Sequence, residues 1–203
     1  MSEDRFQLIL LRHGLTDWNA SGKLLGRVDI GLNEQGRAQA RAAADALKSF
    51  PVRAVFSSPQ VRARETAGPI ADALGVAIET EPGLDEVWLS QAWQGKTVDQ
   101  LRDDTEMKRF LSDPSGRSPR IEPIEEVQGR AVAAVERFRR DRAGETVAVV
   151  SHGDPLRAIV AYYVGLPLVD FRRLLIENGS VSLLCFNPRG PQLTTLNWRP
   201  SLR

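Results

Sequence analysis

The sequence predicts an α/β fold, a single domain arranged as a three-layer α/β/α sandwich around a mostly parallel sheet. Short apolar runs of strand length alternate with longer segments of helical period, and this alternation is typical of a parallel sheet covered on both faces. The length of 203 residues is enough for one buried core. Two of the apolar runs end in His-Gly, which indicates that functional groups collect at one edge of that sheet.

The first half of the chain reads as strand, loop and helix in turn. Residues 6–11 are an apolar run that predicts a buried strand, and residues 17–31 are polar and rich in glycine, which predicts a loop. Asn33 is a candidate N-cap for an alanine-rich helix that reaches about residue 49. The further elements predicted here are a strand at 54–57, a helix that starts at Ser58-Pro59 and ends near residue 74 with Gly75 as a left-handed cap, and a strand at 76–80.

From about residue 82 to about residue 123 the pattern changes. Tryptophans and charges mix without a clear period, a polar helix follows at about 98–111, and prolines cluster before residue 124. We expect this segment to be a substrate-facing excursion from the domain that spans residues 1–203, because lids and substrate-selecting loops are often such insertions. The remaining predicted elements are a helix at 124–142, a strand at 146–150, a helix at 155–163 capped by Gly165, and an edge hairpin of strands at 181–186 and 193–198.

The composition limits the classes of partner. A net charge of +1 gives no reason to expect nucleic acid or an acidic membrane surface as a partner. The single cysteine excludes an intrachain disulfide and fits a reducing compartment. No leader of the secretory type and no apolar run of membrane-spanning length is present. We therefore expect a soluble cytoplasmic protein, and the edge hairpin makes a homodimer a candidate assembly.

The two histidines of the chain share one context, because each follows a buried strand and precedes a glycine, in Arg12-His13-Gly14 and in His152-Gly153. Ligands of open α/β sheets bind beyond the carboxyl ends of the strands. Arginine offers a planar fork of donors that matches phosphate or carboxylate, and neutral imidazole is a competent nucleophile for phosphoryl groups. This combination favours chemistry on a phosphate ester.

A metal site is the competing use of the two histidines. Zinc requires three or four ligands, and here only carboxylates could complete the set, so we expect neither a metal nor another cofactor. Arg62 fits the anion hypothesis better, because it lies in the first turn of a predicted helix just after a strand, where helix N-termini attract anions. Arg64 is expected to be solvated on the same helix.

Four motif blocks follow one another along the chain. They are Arg12-His13-Gly14 with Thr16 and Asn19; Gly26-Arg27-x-Asp29-x-x-Leu32-x-x-x-Gly36; Ser57-Ser58-Pro59-x-x-Arg62-Ala63-x-x-Thr66-Ala67; and Ser151-His152-Gly153. In this order and spacing the blocks resemble the histidine phosphatase superfamily, in its phosphoglycerate mutase-like branch. The resemblance covers nearly the whole chain and uses both histidines.

The resemblance implies a role for each matching position. His13 would be the nucleophile that becomes phosphohistidine. Arg12, Arg62 and His152 would surround the phosphoryl oxygens, where the charge of the transition state lies. Asn19 and the N–H of Gly153 would complete that phosphate-binding pocket. Arg27 would either contact the substrate or only fix its loop.

The proton donor to the leaving oxygen would come from Leu84-Asp85-Glu86, where the family has Leu-x-Glu. Glu86 is the candidate, and Asp85 is the alternative. Because adjacent side chains of an extended segment point in opposite directions, only one of them should face the site.

Three places depart from the family pattern. Leu15 stands where Glu or Gln is usual, residues 87–95 are one residue longer and lack a first glycine, and Ile121-Glu122-Pro123 replaces Gly-Glu-Ser. The latter two changes fall in the excursion, so they weaken the transfer of substrate identity and leave the phosphoryl-handling blocks intact.

Three functions follow from the resemblance. The first is a metal-independent phosphomonoesterase that acts on a small phosphorylated metabolite through phosphohistidine. The second is a cofactor-dependent phosphoglycerate mutase, although such mutases usually have a longer chain and a more basic mouth. The third, of another class, is a catalytically silent protein that binds a phosphorylated ligand, but its signature would be the loss of His13 or His152, and both are present.

Overall fold

Six strands form one sheet in the computed structural model, which describes residues 5–113 and 117–202. The expectations for residues 1–4, 114–116 and 203 lie outside the described residues. The strand order is β3-β2-β4-β1-β5-β6, in which β3, β2, β4 and β1 run parallel, β5 is antiparallel to β1, and β6 is antiparallel to β5. The predicted, mostly parallel sheet is confirmed. Its strands are β1 Phe6–Arg12, β2 Val52–Ser57, β3 Ile78–Thr80, β4 Thr146–Ser151, β5 Val181–Asn187 and β6 Gly190–Trp198.

Helices cover both faces of this sheet. Alternate side chains of β1 enter opposite layers, since Leu8 and Leu10 join the cluster under α5 and α6, whereas Ile9 and Leu11 join the cluster under α2 and α3. This confirms the three-layer sandwich. The helices are α1 Asp17–Ala20, α2 Glu34–Leu47, α3 Val61–Leu74, α4 Thr105–Ser112, α5 Ile124–Asp141 and α6 Gly153–Val164.

Two predicted segments differ from the structure because side chains cap the backbone locally. The loop predicted after Gly14 contains the short helix α1, since the Thr16 hydroxyl accepts the N–H of Asn19 at 3.1 Å. The polar helix predicted at 98–111 is interrupted, because Asp104 accepts the N–H of Met107 at 3.0 Å and starts α4 anew after a 3₁₀ turn at Asp99–Leu101. Both residues are types that favour caps over helix interiors.

The excursion has a small core of its own. Trp93 is fully buried there, and it packs with Met107, Leu101 and Phe171. The hydroxyl of Ser151, at the end of β4, donates to the carbonyl of Leu84 at 2.6 Å, so the start of the excursion is tied to the carboxyl edge of the sheet. This places the excursion over that edge.

The hairpin of β5 and β6 forms one end of the sheet, as predicted, with β6 as the edge strand. The homodimer suggested for it stays a prediction. No helix within residues 5–113 or 117–202 combines the length and the apolar character that a membrane crossing requires.

Candidate active site

The two histidines meet because their strands are neighbours. β1 and β4 are parallel and in register at Arg12 and Ser151, so His13 and His152 follow at the same edge. Their ring centroids are 5.0 Å apart, and both side chains are buried. The structure therefore brings together the two groups that the sequence placed after separate strands.

His13 is held in one tautomer. Its Nδ1 lies 2.7 Å from the carbonyl oxygen of Gly14, and because a carbonyl only accepts, Nδ1 carries the proton. Nε2 then keeps a free lone pair. Burial, together with the nearby Arg62 and Arg12 guanidinium groups, lowers the pKa of His13 well below its usual 6.5. The imidazole is therefore neutral at pH 7, which is the form that attacks phosphorus.

Asn178, which the sequence analysis did not identify, holds the backbone of His13 in place. Its Nδ2 donates to the backbone carbonyl of His13 at 3.1 Å and lies 3.4 Å from the side-chain oxygen of Asn19. On the other side, the N–H of Gly14 donates to the hydroxyl of Thr66 at 3.0 Å. The only signal for Asn178 was an Asn-Gly pair just before a strand, which is also a common turn.

The guanidinium group of Arg12 lies beside the N-terminus of α6. Its Nη1 donates to the carbonyl of Ile176 at 2.8 Å, while its buried Nε has no hydrogen-bond partner in the described part of the chain. A Cβ added to Gly153 would lie 3.6 Å from this Nε, and Gly153 is the first residue of α6. An orphaned guanidinium donor beside a helix N-terminus is a binding site for an anion.

Arg62 is fully buried, and hydrogen bonds hold its guanidinium group in place. Its Nη1 and Nη2 donate to the carbonyls of Val28 and Gly26, each at 2.7 Å, and its Nε donates to Nδ1 of His152 at 3.2 Å. These bonds fix the loop that precedes α2 and leave the charge facing His13. By contrast, Arg64 is exposed, as expected.

His152 also has a defined tautomer. Because Arg62 can only donate, Nδ1 of His152 is unprotonated, and its Nε2–H donates to the Ser58 hydroxyl at 2.8 Å. The Ser58 hydroxyl lies 3.1 Å from Oδ1 of Asp85, to which it donates. Burial and Arg62 lower the pKa of His152 well below 6.5. In this arrangement both nitrogens of His152 are engaged within the protein.

Asp85 and Glu86 point to different places, as expected for neighbours in an extended segment. Asp85 bonds to Ser58, whereas Glu86 lines the same pocket as His13 and Arg12. Oε1 of Glu86 accepts its neighbouring Val87 N–H at 3.0 Å, which leaves Oε2 to carry a transferable proton. Burial, and then the charge of Asp154, raise the pKa of Glu86 to about 7. Such a carboxyl exchanges protons near neutral pH.

Arg130 of α5 positions the segment that carries Glu86, and sequence reasoning missed it. Its guanidinium donates to the carbonyls of Gly83, Asp85 and Glu86 at 2.9, 2.6 and 3.1 Å. It also donates twice to the carboxylate of Glu122, at 2.9 and 3.1 Å. All five guanidinium hydrogens are thereby used, so this part of the excursion is held rigidly against α5.

Arg27 and Asn19 have different surroundings. Arg27 donates to the carbonyl of Glu86 at 3.0 Å and to Glu122 at 2.9 Å. Of the two roles considered for Arg27, substrate contact and fixing its loop, these bonds favour the second. Asn19 lines the pocket, and its side-chain oxygen accepts from the Thr16 hydroxyl at 3.0 Å. Its amide N–H donors are therefore directed away from that hydroxyl and remain available to an anion.

The pocket above these groups has a volume of about 260 Å³ and two unlike sides. The side at the strand ends is polar and carries the histidine and arginine groups. The other side is apolar and comes largely from the excursion. Its lining residues are Leu24, Leu25, Val87, Leu89, Trp93, Val98, Met107, Phe110, Leu111 and Ile121.

Comparison with known proteins identifies the family and the fold of the chain. The model of the histidine phosphatase superfamily (branch 1) matches residues 8–199. The probable phosphoglycerate mutase GpmB of Photorhabdus laumondii subsp. laumondii is 36% identical over 179 residues, which cover 87% of this chain and 83% of that protein.

Two solved structures have the same fold. A mycobacterial glucosyl-3-phosphoglycerate phosphatase in complex with VO3 has a TM-score of 0.84 and 28% identity, covering 94% of this chain and 98% of that chain. The phosphoserine phosphatase of Entamoeba histolytica, in complex with 3-phosphoglyceric acid, has a TM-score of 0.83 and 26% identity, covering 95% and 97%.

Proposed function

The chain belongs to the histidine phosphatase superfamily, and from this premise we propose that it is a metal-independent phosphomonoesterase acting on a small phosphorylated metabolite. One observation carries the proposal. The neutral His13 presents a free Nε2 beside the unpartnered Nε of Arg12, in one pocket with Glu86. Nucleophile, anion donor and proton donor are thus adjacent.

These groups suffice for hydrolysis in two steps. Nε2 of His13 would form a bond to phosphorus while the ester P–O bond breaks, and Glu86 would give its proton to the departing oxygen. Water would then attack the phosphohistidine, the P–N bond would break, and the Glu86 carboxylate would take the proton of the water. Arg12, Arg62, His152, Asn19 and the N–H of Gly153 would surround the phosphoryl oxygens throughout.

A phosphoglycerate mutase is the second candidate, because the relative that is 36% identical is named a probable phosphoglycerate mutase. The two activities share the phosphohistidine and differ in what accepts the phosphoryl group next. A mutase returns it to another hydroxyl and excludes water. The two solved structures described above, at 28% and 26% identity, are both named phosphatases, which supports the phosphatase.

The test is hydrolysis of para-nitrophenyl phosphate with a chelator present. We expect turnover by the wild-type protein and a loss of at least about 10³-fold in His13→Ala, since removing the covalent nucleophile removes the reaction path. Rapid acid-free quenching with radiolabelled substrate should trap an acid-labile, alkali-stable phosphoprotein in the wild type only.

Cys185→Ser is the matched control, because it removes the only thiol of the chain without touching the pocket, and its turnover should equal that of the wild type. Turnover that persists in His13→Ala would contradict the proposal. If the folded wild type is inactive on esters, an assay for phosphoglycerate isomerisation with a bisphosphorylated primer decides between a mutase and a silent binding protein.

A further inference from the structure

The pocket holds more positive charge than one phosphoryl group requires. In addition to Arg12 and Arg62, it is lined by Lys23, Arg157 and Arg172, against the acidic Glu86 and Asp154. A phosphate monoester carries two negative charges, which Arg12 and Arg62 can neutralise. Lys23, Arg157 and Arg172 are therefore in excess of what the phosphoryl group requires.

Arg172 is held in place, while one of its buried nitrogens lacks a hydrogen-bond partner among the described residues. Its Nη1 donates to the carbonyl of Phe110 at 2.8 Å, and its Cζ lies 4.0 Å from the centroid of the Phe110 ring. Its Nη2 is buried and has no hydrogen-bond partner within the described residues. A buried donor left unpaired is unfavourable, so a fixed guanidinium of this kind is prepared to bind an acceptor.

Arg157 links Arg172 to the phosphoryl end of the pocket. It donates to the carbonyl of Leu174 at 3.0 Å and to Asp154 at 3.0 Å. A Cβ added to Gly153 would lie 3.3 Å from Nη1 of Arg157 and 3.5 Å from Cζ of Arg12, so these two guanidinium groups flank the same glycine. Burial lowers the pKa of Arg12 and of Arg172, and the charge of Arg157 acts in the same direction on both. All three arginines line the pocket, and Arg157 interacts electrostatically with each of the other two.

Apolar side chains lie beside Arg172. Arg172 stacks on Phe110, and Phe110 lines the pocket together with Met107, Leu111 and Leu89. A ligand that reaches Arg172 from the phosphoryl site therefore also contacts apolar side chains.

We propose that Arg172, supported by Arg157, is a second anion-binding subsite, and that the substrate is a phosphomonoester whose leaving group carries a carboxylate or second phosphate beyond an apolar body. This inference rests on the proposed function and specifies its substrate class. Arg172 acts here as a specificity-determining residue that touches the far end of the substrate.

The test compares kcat/KM for matched aryl phosphates. Para-carboxyphenyl phosphate has a distal carboxylate, para-carbamoylphenyl phosphate is its neutral counterpart, and 1,4-phenylene bisphosphate has a distal phosphate. We expect the wild type to prefer at least one of the anionic substrates to the neutral one by about tenfold, which is the effect of one charge-assisted hydrogen bond. The substrate preferred distinguishes the carboxylate from the phosphate.

In Arg172→Gln this preference should fall to about one. The matched control is Arg173→Gln, because Arg173 is the adjacent arginine, its side chain is 78% exposed and it pairs with Asp170 outside the pocket; it should keep the wild-type preference. A preference that survives in Arg172→Gln, or a wild type without any preference, would overturn the subsite.

Failure of the subsite and failure of the proposed function are separable. If the wild type hydrolyses none of these esters, the same three compounds are titrated calorimetrically into the wild-type protein. Tighter binding of an anionic compound that disappears in Arg172→Gln would keep the subsite while the phosphatase proposal fails. Equal binding of all three compounds would remove the subsite as well.

Discussion

At the scale of single residues, hydrogen-bond partners distinguish side chains of the same type from one another. His13 and His152 are both neutral, yet within the described residues only His13 has an Nε2 without a hydrogen-bond partner, because the ring of His152 lies between Arg62 and Ser58. The two adjacent acids, Asp85 and Glu86, also differ in their surroundings. Asp85 bonds to Ser58 and so supports His152, whereas Glu86 faces the pocket.

Glu86 should control the pH dependence of turnover. Its pKa is raised to about 7, so its acid form prevails below pH 7 and is lost above it. For an alkyl phosphate, whose leaving oxygen needs a proton, kcat/KM of the wild type should fall above about pH 7. Glu86→Gln should lower that rate by about 10²–10⁴-fold and flatten the alkaline limb. The measurement is a pH–rate profile for glycerol phosphate.

The same variant should lose much less activity on para-nitrophenyl phosphate, because nitrophenolate leaves without a proton. Asp85→Asn serves as the comparison, since Asp85 should affect both substrates alike through His152. If Asp85→Asn, and not Glu86→Gln, abolished the alkaline limb, the assignment of the acid to Glu86 would be wrong.

At the scale of elements, the backbone of the loop after β1 packs in direct contact with the first turn of α2. A Cβ on Gly36 would overlap the carbonyl oxygen of Leu15 and lie 2.8 Å from the nitrogen of Leu15. A Cβ on Gly14 would in turn meet the backbone of Gly36. The loop that carries His13 therefore depends on Gly14 and on Gly36 of α2.

Gly36→Ala should lower the free energy of unfolding by about 3 kcal/mol, because backbone atoms must move to admit the methyl group. This corresponds to a decrease of roughly 6–12 °C in Tm for a chain of this length. Thermal unfolding followed by circular dichroism measures it.

Gly129→Ala is the matched control within α5. Nothing lies within 4 Å of a Cβ at Gly129, so replacing this exposed helical glycine should raise the free energy of unfolding by about 0.5–1 kcal/mol. Equal effects of the two substitutions would mean that the loop and α2 do not touch as described.

At the scale of the whole molecule, buried titratable groups couple the site to stability. The pKa values of both histidines are lowered well below 6.5, so the unfolded chain binds more protons below pH 6.5 and stability is lost there. The contribution of Glu86 to stability changes with pH in the opposite direction. Its raised pKa means that burying the carboxylate costs stability above pH 7, and this cost disappears as pH falls toward 4.5.

The wild type should therefore lose up to about 1.4 kcal/mol per pH unit between pH 6.5 and 5, since two imidazoles act against one carboxyl. Glu86→Gln should lose up to about twice as much per unit, and should be about 1–2 kcal/mol more stable than the wild type at pH 8. Urea unfolding across this range measures both slopes. Parallel slopes for the two proteins would contradict a raised pKa of Glu86.

The sequence by itself determined the layered fold and the two histidine motifs. Hydrophobic period, Asn33 as a cap and Gly75 as a left-handed cap are local signals, and His13 and His152 followed strands that had to share one sheet edge. The break in the helix predicted at 98–111 was missed because a single capping side chain, Asp104, outweighed the polar pattern.

Only the tertiary structure decided which side chains complete the site. Asn178 lies 165 residues from His13 along the chain, and Arg130 lies 44 residues from Glu86, so no local pattern connects either pair. Which of Asp85 and Glu86 faces the pocket, and the lack of a partner for one nitrogen of Arg172 among the described residues, likewise depend on which groups fold against them. Local sequence sets the backbone of each element, whereas burial and hydrogen-bond partners arise when distant segments pack, and these set the surroundings and the pKa of each group.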